Sequence, residues 1–243
     1  MTPPITVGSF EKDLTGLHIL CLYPSRCQGR LPVVYILEPV KNMGGLEDFV
    51  KGDGGMVLVS IFGMDWERDL TPWQAPRAYK RGKDFSGEAT SFRKRLLEEV
   101  IPSIEEDLRT LGIQVDKDER SLVGISLAGL FSLQSGLLSP AFSALGSISG
   151  SFWYDSFVEY VKDLDPGSGK WLRKIYFSLG EQERNAKSPR LASVQERTEE
   201  IVRILRERFQ GGTDILFEMN AGNHFSDPVG RIRKALSFLS GGR

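Results

Sequence analysis

Short apolar runs rich in β-branched residues alternate along the chain with longer stretches of amphipathic character. Eight of these runs have the length and composition of strands, and helical spacing fills most of the longer gaps between them. The predicted strands are Ile5–Phe10, Leu17–Tyr23, Pro32–Leu37, Met56–Ile61, Arg120–Ile125, Ala144–Ser149, Lys174–Leu179 and Thr213–Met219. Alternation of strands with helices predicts a mostly parallel sheet with helices on both faces.

Three apolar stripes at helical spacing are the clearest helix signals. The first comprises Phe92, Leu96, Leu97, Val100, Ile101, Ile104 and Leu108; the second comprises Leu191, Val194, Ile201, Val202, Leu205 and Phe209; the third comprises Val229, Ile232, Leu236 and Leu239. Asp227-Pro228 is a start signal for the third, with Asp227 as the N-cap. The first two strands are joined only by Lys12–Gly16, which predicts an antiparallel hairpin.

Composition narrows the possible functions. The 243 residues are 40% hydrophobic and 26% charged, with a net charge of −1, so the chain is predicted to be one globular domain (1–243) without a general affinity for nucleic acid. No apolar run is long enough to cross a membrane, and the first residues do not resemble a signal peptide. Cys21 and Cys27 are expected to be free thiols of a cytoplasmic protein, and no metal or cofactor is expected.

The most informative segment surrounds Ser126. An apolar strand runs into Gly124, and helix-forming residues resume at Leu127, which is the strand–turn–helix setting of a nucleophile elbow. So tight a turn requires small residues two before and two after the nucleophile, and Gly124 and Ala128 meet this requirement. A serine that only caps a helix is the alternative interpretation. Backbone N–H groups at the start of the helix would face a developing oxyanion.

A serine nucleophile needs a base, and the chain contains two histidines. His18 lies within an early strand, whereas His224 lies in a Gly/Asn-rich loop between the last strand and the last helix, which makes His224 the candidate. The acid that orients it is expected directly after the strand that ends near Gly180. Glu183 is the first choice there and Glu181 the second, with solvated surface charge as the alternative for both.

With these residues assigned, the sequence resembles the putative esterase family of α/β-hydrolases over nearly its whole length, and most closely the ferric-enterobactin and siderophore esterase branch. The likeness rests on several segments, which are Leu31-Pro-Val-Val-Tyr-Ile-Leu-Glu38, Arg68-Asp-Leu-Thr-Pro-Trp73, Ser149-Gly-Ser-Phe-Trp-Tyr154, Gly180-Glu-Gln-Glu183 and Gly222-Asn-His-Phe225. It implies an α/β-hydrolase fold. The stretch Ser151–Trp171 leaves room for only one short helix, so no large lid is expected.

The resemblance also implies roles for further residues. The oxyanion hole would use the backbone N–H groups of Leu127 and Val40. Arg68, Trp73, Trp153 and Tyr154 would line the substrate pocket, where planar cations and aromatic faces suit aryl and anionic groups. The segment Phe62–Thr90 has no clear periodicity and is expected to border the site as a functional loop.

The sequence therefore predicts a serine esterase that acts on a small-molecule ester, of siderophore or aryl type, through Ser126, His224 and Glu183. Acyl transfer to an alcohol is a second possibility within the same fold. A third is a hydrolase-like protein that binds a ligand without turnover. Two departures from the family pattern motivate it: Ala128 where glycine is usual, and Glu38-Pro39 where Asp-Gly is usual.

Overall fold

A computed structural model describes residues 5–39, 41, 43–51, 55–78 and 82–241. Within these residues, eight strands form one sheet in the order β1-β2-β4-β3-β5-β6-β7-β8. The strands are β1 (Val7–Leu14), β2 (Leu17–Pro24), β3 (Arg30–Leu37), β4 (Val57–Phe62), β5 (Gln114–Ile125), β6 (Ala144–Ile148), β7 (Lys174–Gly180) and β8 (Asp214–Asn220). Each corresponds to a predicted strand, with the ends shifted by a few residues and β5 extended at its start.

The sheet is antiparallel at one side and parallel elsewhere. Strand β1 pairs antiparallel with β2, and β2 pairs antiparallel with β4. The remaining neighbours are parallel, which confirms the predicted mixed sheet. The hairpin turn is shorter than expected, because β1 runs to Leu14 and only Thr15 and Gly16 connect the strands. Both have positive φ (52° and 80°), as a tight two-residue hairpin turn requires.

Helices cover both faces of the sheet. They are α1 (Asp48–Lys51), α2 (Trp66–Asp69), α3 (Ala89–Arg95), α4 (Ile101–Thr110), α5 (Leu127–Leu138), α6 (Phe157–Asp163), α7 (Pro189–Ala192), α8 (Val194–Phe209) and α9 (Pro228–Ser240). A π-helical turn at Leu96–Val100 joins α3 to α4. Its wider turn accommodates one extra residue, so that Val100 and Ile101 are both buried and the apolar stripe continues.

The core has two layers that follow the alternation of side chains along the strands. Val33 and Tyr35 of β3 face the layer covered by α3–α6 and α8, while Val34 and Ile36 face the layer covered by α1 and α9. The predicted second stripe is divided between α7 and α8, with Ser193 at the junction. Among the described residues, no helix is both long and apolar enough to cross a membrane.

Two connections determine what surrounds the carboxyl ends of the strands. Between β4 and α3, the described residues include α2 and a bridge between Ala75 and Phe85, which is regular structure that the lack of periodicity did not predict. Between β6 and β7 the chain forms α6, in agreement with the expected short helix and the absence of a large lid insertion there. Because β5 to β8 run parallel, the carboxyl ends of β5, β7 and β8 lie at one edge of the sheet, where ligands of α/β proteins bind.

Candidate active site

Ser126 occupies a strained turn between β5 and α5. Its backbone has φ 60° and ψ −124°, a conformation that a residue with a Cβ rarely adopts. Four hydrogen bonds hold it there. The N–H of Ser126 donates to Ile148 O at 2.9 Å, and its carbonyl accepts from the N–H groups of Gly129 (2.9 Å), Leu130 (3.1 Å) and Ser151 (3.1 Å). The turn therefore has the backbone form of a nucleophile elbow.

Small neighbours make this turn possible. A Cβ at Gly124 would lie 2.2 Å from the carbonyl oxygen of Ala128, and one at Gly129 would lie 2.8 Å from Ser147 Oγ. Ala128 itself is fully buried and packs in the core layer covered by α3–α6 and α8. Its methyl group is thus accommodated at the position where the family usually has glycine.

The hydroxyl of Ser126 lies 3.3 Å from the hydroxyl of Ser151, which is buried beside the turn. Within the described residues, Ser151 rather than His224 is its hydrogen-bond partner. Leu127 is the first residue of α5, and N–H groups in a first turn have no acceptor within the helix. The other predicted oxyanion donor, Val40, lies outside the described residues.

Glu183 and His224 meet across two loops. Glu183 begins a 3₁₀ turn just after β7, and His224 lies between β8 and α9. His224 Nδ1 is 2.8 Å from Glu183 Oε2. Glu183 is 7% exposed, whereas Glu181, the second predicted acid, is exposed and makes no side-chain contact with His224 among the described residues. The other histidine, His18, pairs with Asp13 at the far edge of the sheet.

The remaining oxygen of Glu183 is also occupied. Oε1 accepts hydrogen bonds from Ser149 Oγ and from the N–H of Gly180, each at 2.6 Å, and lies 3.5 Å from Arg231 Nη1. Burial alone would raise the pKa of this carboxyl group. The hydrogen bonds from His224, Ser149 and Gly180 outweigh that effect, so the pKa of Glu183 is lowered and the group is ionised near neutral pH.

Backbone contacts connect the two loops that carry this pair. Glu181 N–H donates to Asn220 O at 2.9 Å, and Gln182 N–H donates to Gly222 O at 3.0 Å. A Cβ at Gly180 would lie 2.7 Å from Gly222 O, so this close approach requires glycine. The pair is also adjacent to the Ser126 turn, because Ser149, which binds Glu183, directly follows Ile148, which binds Ser126.

The four predicted substrate residues differ in accessibility. The Arg68 side chain is 44% exposed and pairs with Asp69 at 2.9 Å, and Trp73 is half-buried. Trp153 and Tyr154 are buried; Tyr154 donates to Trp73 O, and its ring centroid lies 6.0 Å from that of Trp73. Trp153 and Tyr154 thus pack in the core, and Arg68 and Trp73 are the more accessible members of this set.

Two findings bear on the sequence predictions: the position of Glu38, and contacts around the site that were not predicted. Glu38 is buried at the end of β3, and the Ser60 hydroxyl donates to it. No sequence pattern predicts the contacts that Ser149, Ser151 and Arg231 make around the site. Ser149 and Ser151 lie in the family-like segment 149–154, where roles are predicted only for Trp153 and Tyr154, and Arg231 lies next to the apolar stripe of α9. A buried arginine needs a partner, but no spacing rule links it to a carboxylate 48 residues away.

The sheet order, the strained serine between β5 and α5 and the covering helices define an α/β-hydrolase. The chain belongs to the family described as "Putative esterase", whose model matches residues 17–236. This confirms the resemblance drawn from the motifs and classes the protein as a carboxylic ester hydrolase.

Individual proteins resemble this chain over most of its length. "Uncharacterized protein YbbA" of Bacillus subtilis (strain 168) is 29% identical over 251 residues, covering 96% of this chain and 97% of its own. The structure of an IroE-like serine hydrolase from Shewanella oneidensis has a TM-score of 0.76 at 18% identity, covering 95% of this chain and 79% of that one. The enterobactin and salmochelin hydrolase IroE has a TM-score of 0.69 at 20% identity, covering 98% and 96%. At these identities the structural likeness establishes the fold.

Proposed function

We propose that this protein is a serine esterase in which Ser126 is the nucleophile, His224 the general base and Glu183 the acid that orients the imidazole. The observation that supports this most strongly is the 2.8 Å contact between His224 Nδ1 and the buried carboxylate of Glu183. With Nδ1 bound to an anion, the proton of a neutral imidazole resides on Nδ1, and Nε2 is left as the basic nitrogen.

The reaction then proceeds in two halves. Ser126 Oγ attacks the ester carbonyl while His224 accepts its proton, and His224 returns that proton to the departing alcohol. Water, activated by the same histidine, hydrolyses the acyl-enzyme. The N–H of Leu127, with that of Val40 as the second donor, stabilises the oxyanion of each tetrahedral intermediate, and loss of one such donor costs about 2.7–4 kcal/mol of barrier.

The substrate class that fits best is an aryl or siderophore-type ester. Arg68 and Trp73 offer an accessible guanidinium and an indole beside the aromatic residues Tyr154 and Tyr160, whose rings lie 6.0 and 5.3 Å from that of Trp73. Such surfaces bind planar aromatic and anionic groups. Proteins of similar fold include hydrolases of enterobactin and of other siderophores, which makes these esters the first to assay. A cytoplasmic location remains a prediction of the sequence.

A fluorophosphonate probe tests the nucleophile. The wild type should be labelled, Ser126→Ala should not be labelled, and His224→Ala should be labelled much more slowly, because the hydroxyl then lacks its base. Ser9→Ala, an exposed serine on β1, is the matched control and should label like the wild type. Labelling that persists in Ser126→Ala would refute the assignment.

The same experiment addresses the two alternatives. A ligand-binding protein without turnover would leave the wild type unlabelled. An acyltransferase would label normally but would form a new ester when an acceptor alcohol is added, and chromatography of the products detects this. We favour hydrolysis because the short connection around α6 provides no large lid to exclude water from the acyl-enzyme.

A further inference from the structure

We propose that Arg231 is a positioning residue of the active site, which fixes the Glu183 carboxylate and keeps the Glu183–His224 pair from taking up a proton in weakly acidic solution. The proposal rests on the triad proposed above. Arg231 is buried, contacts Glu183 and the residue before His224, and would not touch the substrate.

Arg231 is 2% exposed and lies near the start of α9, in a helix turn that faces the sheet. Its Nη1 donates to Ser149 Oγ at 2.8 Å and lies 3.5 Å from Glu183 Oε1. Its Nη2 donates to the carbonyl of Asn223 at 2.8 Å. Because Asn223 directly precedes His224, one guanidinium holds both the loop of the acid and the loop of the base.

Ser149 links the arginine to the acid. Its hydroxyl accepts from Arg231 and donates to Glu183 Oε1 at 2.6 Å, so its single proton is directed at the carboxylate. The backbone of Ser149 has φ 48°, which is uncommon for a residue other than glycine. Its N–H donates to Ser178 O at 2.7 Å, so the residue is held from both sides.

Other charges near the pair are either exposed or paired elsewhere. Glu181 and Arg184 flank Glu183 in sequence and are exposed, and Asp227 caps α9 at its exposed end. Lys234, one turn further along α9, pairs with Glu218 of β8 at 2.9 Å. Of the charged side chains in the described contacts of Glu183 and His224, Arg231 is thus the buried cation that opposes the carboxylate.

The electrostatic consequence has a definite sign. Arg231 and ionised Glu183 balance each other while His224 is neutral, and one more proton on the pair would leave a net positive charge in a buried site. Removal of the arginine charge makes that proton easier to bind, whether the carboxylate or the imidazole holds it. A protonated pair cannot act as base, so activity would be lost at a higher pH than in the wild type.

The test is the pH profile of kcat/KM for p-nitrophenyl acetate, measured for the wild type, Arg231→Met and Arg231→Lys. We expect the acid limb of Arg231→Met to move to higher pH by about one unit. Arg231→Lys keeps the charge, so its acid limb should move by no more than half as much as that of Arg231→Met. Arg233→Met, on the same helix but paired with Asp48 at the surface, is the control and should leave the limb in place.

A purely structural arginine would behave differently: Arg231→Met would melt at a lower temperature, but its acid limb would coincide with that of the wild type, and this would overturn the proposal. If Arg231→Met does not fold, Arg231→Gln removes the same charge while its amide can still donate to Asn223, and the same shift is required of it. Failure of the proposed function is distinguishable from failure of this inference. It would appear as a wild type without esterase activity, or as a Ser126→Ala variant that keeps that activity, before any arginine variant is compared.

Discussion

The imidazole of His224 and the carboxylate of Glu183 are 41 residues apart in the chain and 2.8 Å apart in space. The contact joins the loop after β7 to the loop after β8, and Gly180, where no Cβ fits, permits the close approach. Of the two ring nitrogens, only Nδ1 contacts the buried carboxylate, and this contact selects one tautomer of the imidazole. This relationship makes Glu183, rather than its neighbour two positions earlier, the residue whose loss should matter.

Replacement of Glu183 by glutamine should lower kcat/KM for p-nitrophenyl acetate by roughly 10³- to 10⁴-fold, because the amide neither stabilises the imidazolium nor fixes its tautomer. Glu181→Gln is the matched control. That carboxylate is exposed, so the variant should retain wild-type activity. The opposite ranking of the two variants would show that the acid is Glu181.

The stability of the protein should also depend on the ionisation of Glu183. Its pKa is lowered from 4.5 in the folded state, so the ionised form stabilises the fold. This contribution is present above the unfolded-state pKa and is lost as the pH falls through the folded-state pKa. The difference in free energy of unfolding between the wild type and Glu183→Gln should therefore be largest above a pH of about 5 and shrink on acidification.

Urea unfolding at a series of pH values measures this difference. Glu181→Gln, treated in the same way, should follow the wild type throughout. A gap between the wild type and Glu183→Gln that stays constant down to a pH of about 3 would contradict the pKa shift assigned to Glu183.

The sequence was sufficient for the sheet because periodicity and strand composition report burial locally. All eight predicted strands are present, and the ends differ where pairing rather than composition decides, as at Leu14 and Gln114. The turn at Ser126 was recognisable for the same reason, since its signals lie within a few residues of each other.

Contacts between residues far apart in the chain could not be predicted from local sequence patterns. Glu181 and Glu183 both follow Gly180, and only the fold shows which of them contacts His224. Arg231 and Ser149 reach Glu183 from α9 and from the end of β6, and no local pattern predicts such a meeting. The burial of Trp153 and Tyr154 likewise depends on the segment between β4 and α3, whose sequence has no periodicity to interpret.

A methyl group at Gly124 should disrupt the turn that presents Ser126. The new Cβ would lie 2.2 Å from the carbonyl oxygen and 2.3 Å from the carbonyl carbon of Ala128, which are backbone atoms of α5 and cannot move cheaply. We expect Gly124→Ala to lose at least about 2 kcal/mol of unfolding free energy. For a chain of this size that corresponds to a fall of roughly 4–8 °C in Tm.

Gly44→Ala is the control for this experiment, because a Cβ there meets nothing within 4 Å and the backbone φ is not positive. Differential scanning calorimetry of the two variants compares them directly. Equal melting temperatures for Gly124→Ala and the wild type would mean that the turn relaxes more readily than its contacts with Ala128 imply.

Phe225 should contribute to the proposed preference for aryl esters. It is 82% exposed, more than the other large apolar side chains described as exposed, Leu111 and Leu138, and its ring stands nearly perpendicular to the imidazole of His224 at 5.1 Å. An exposed ring next to His224, the proposed base, can cover the apolar part of a bound ester, and burial of a side chain of this size is worth about 1.5–3 kcal/mol. Phe225→Ala should raise KM for phenyl-substituted esters roughly tenfold and leave the Tm nearly unchanged.

The informative quantity is the ratio of kcat/KM for a p-nitrophenyl ester of an aromatic acid to that for p-nitrophenyl acetate. Because both esters release the same alcohol and use the same base, damage to His224 would lower both rates and leave the ratio unchanged. Loss of a contact to the substrate would lower the ratio. Leu111→Ala, at the exposed end of α4, should change neither rate. An unchanged ratio in Phe225→Ala would assign the exposed ring no part in substrate selection.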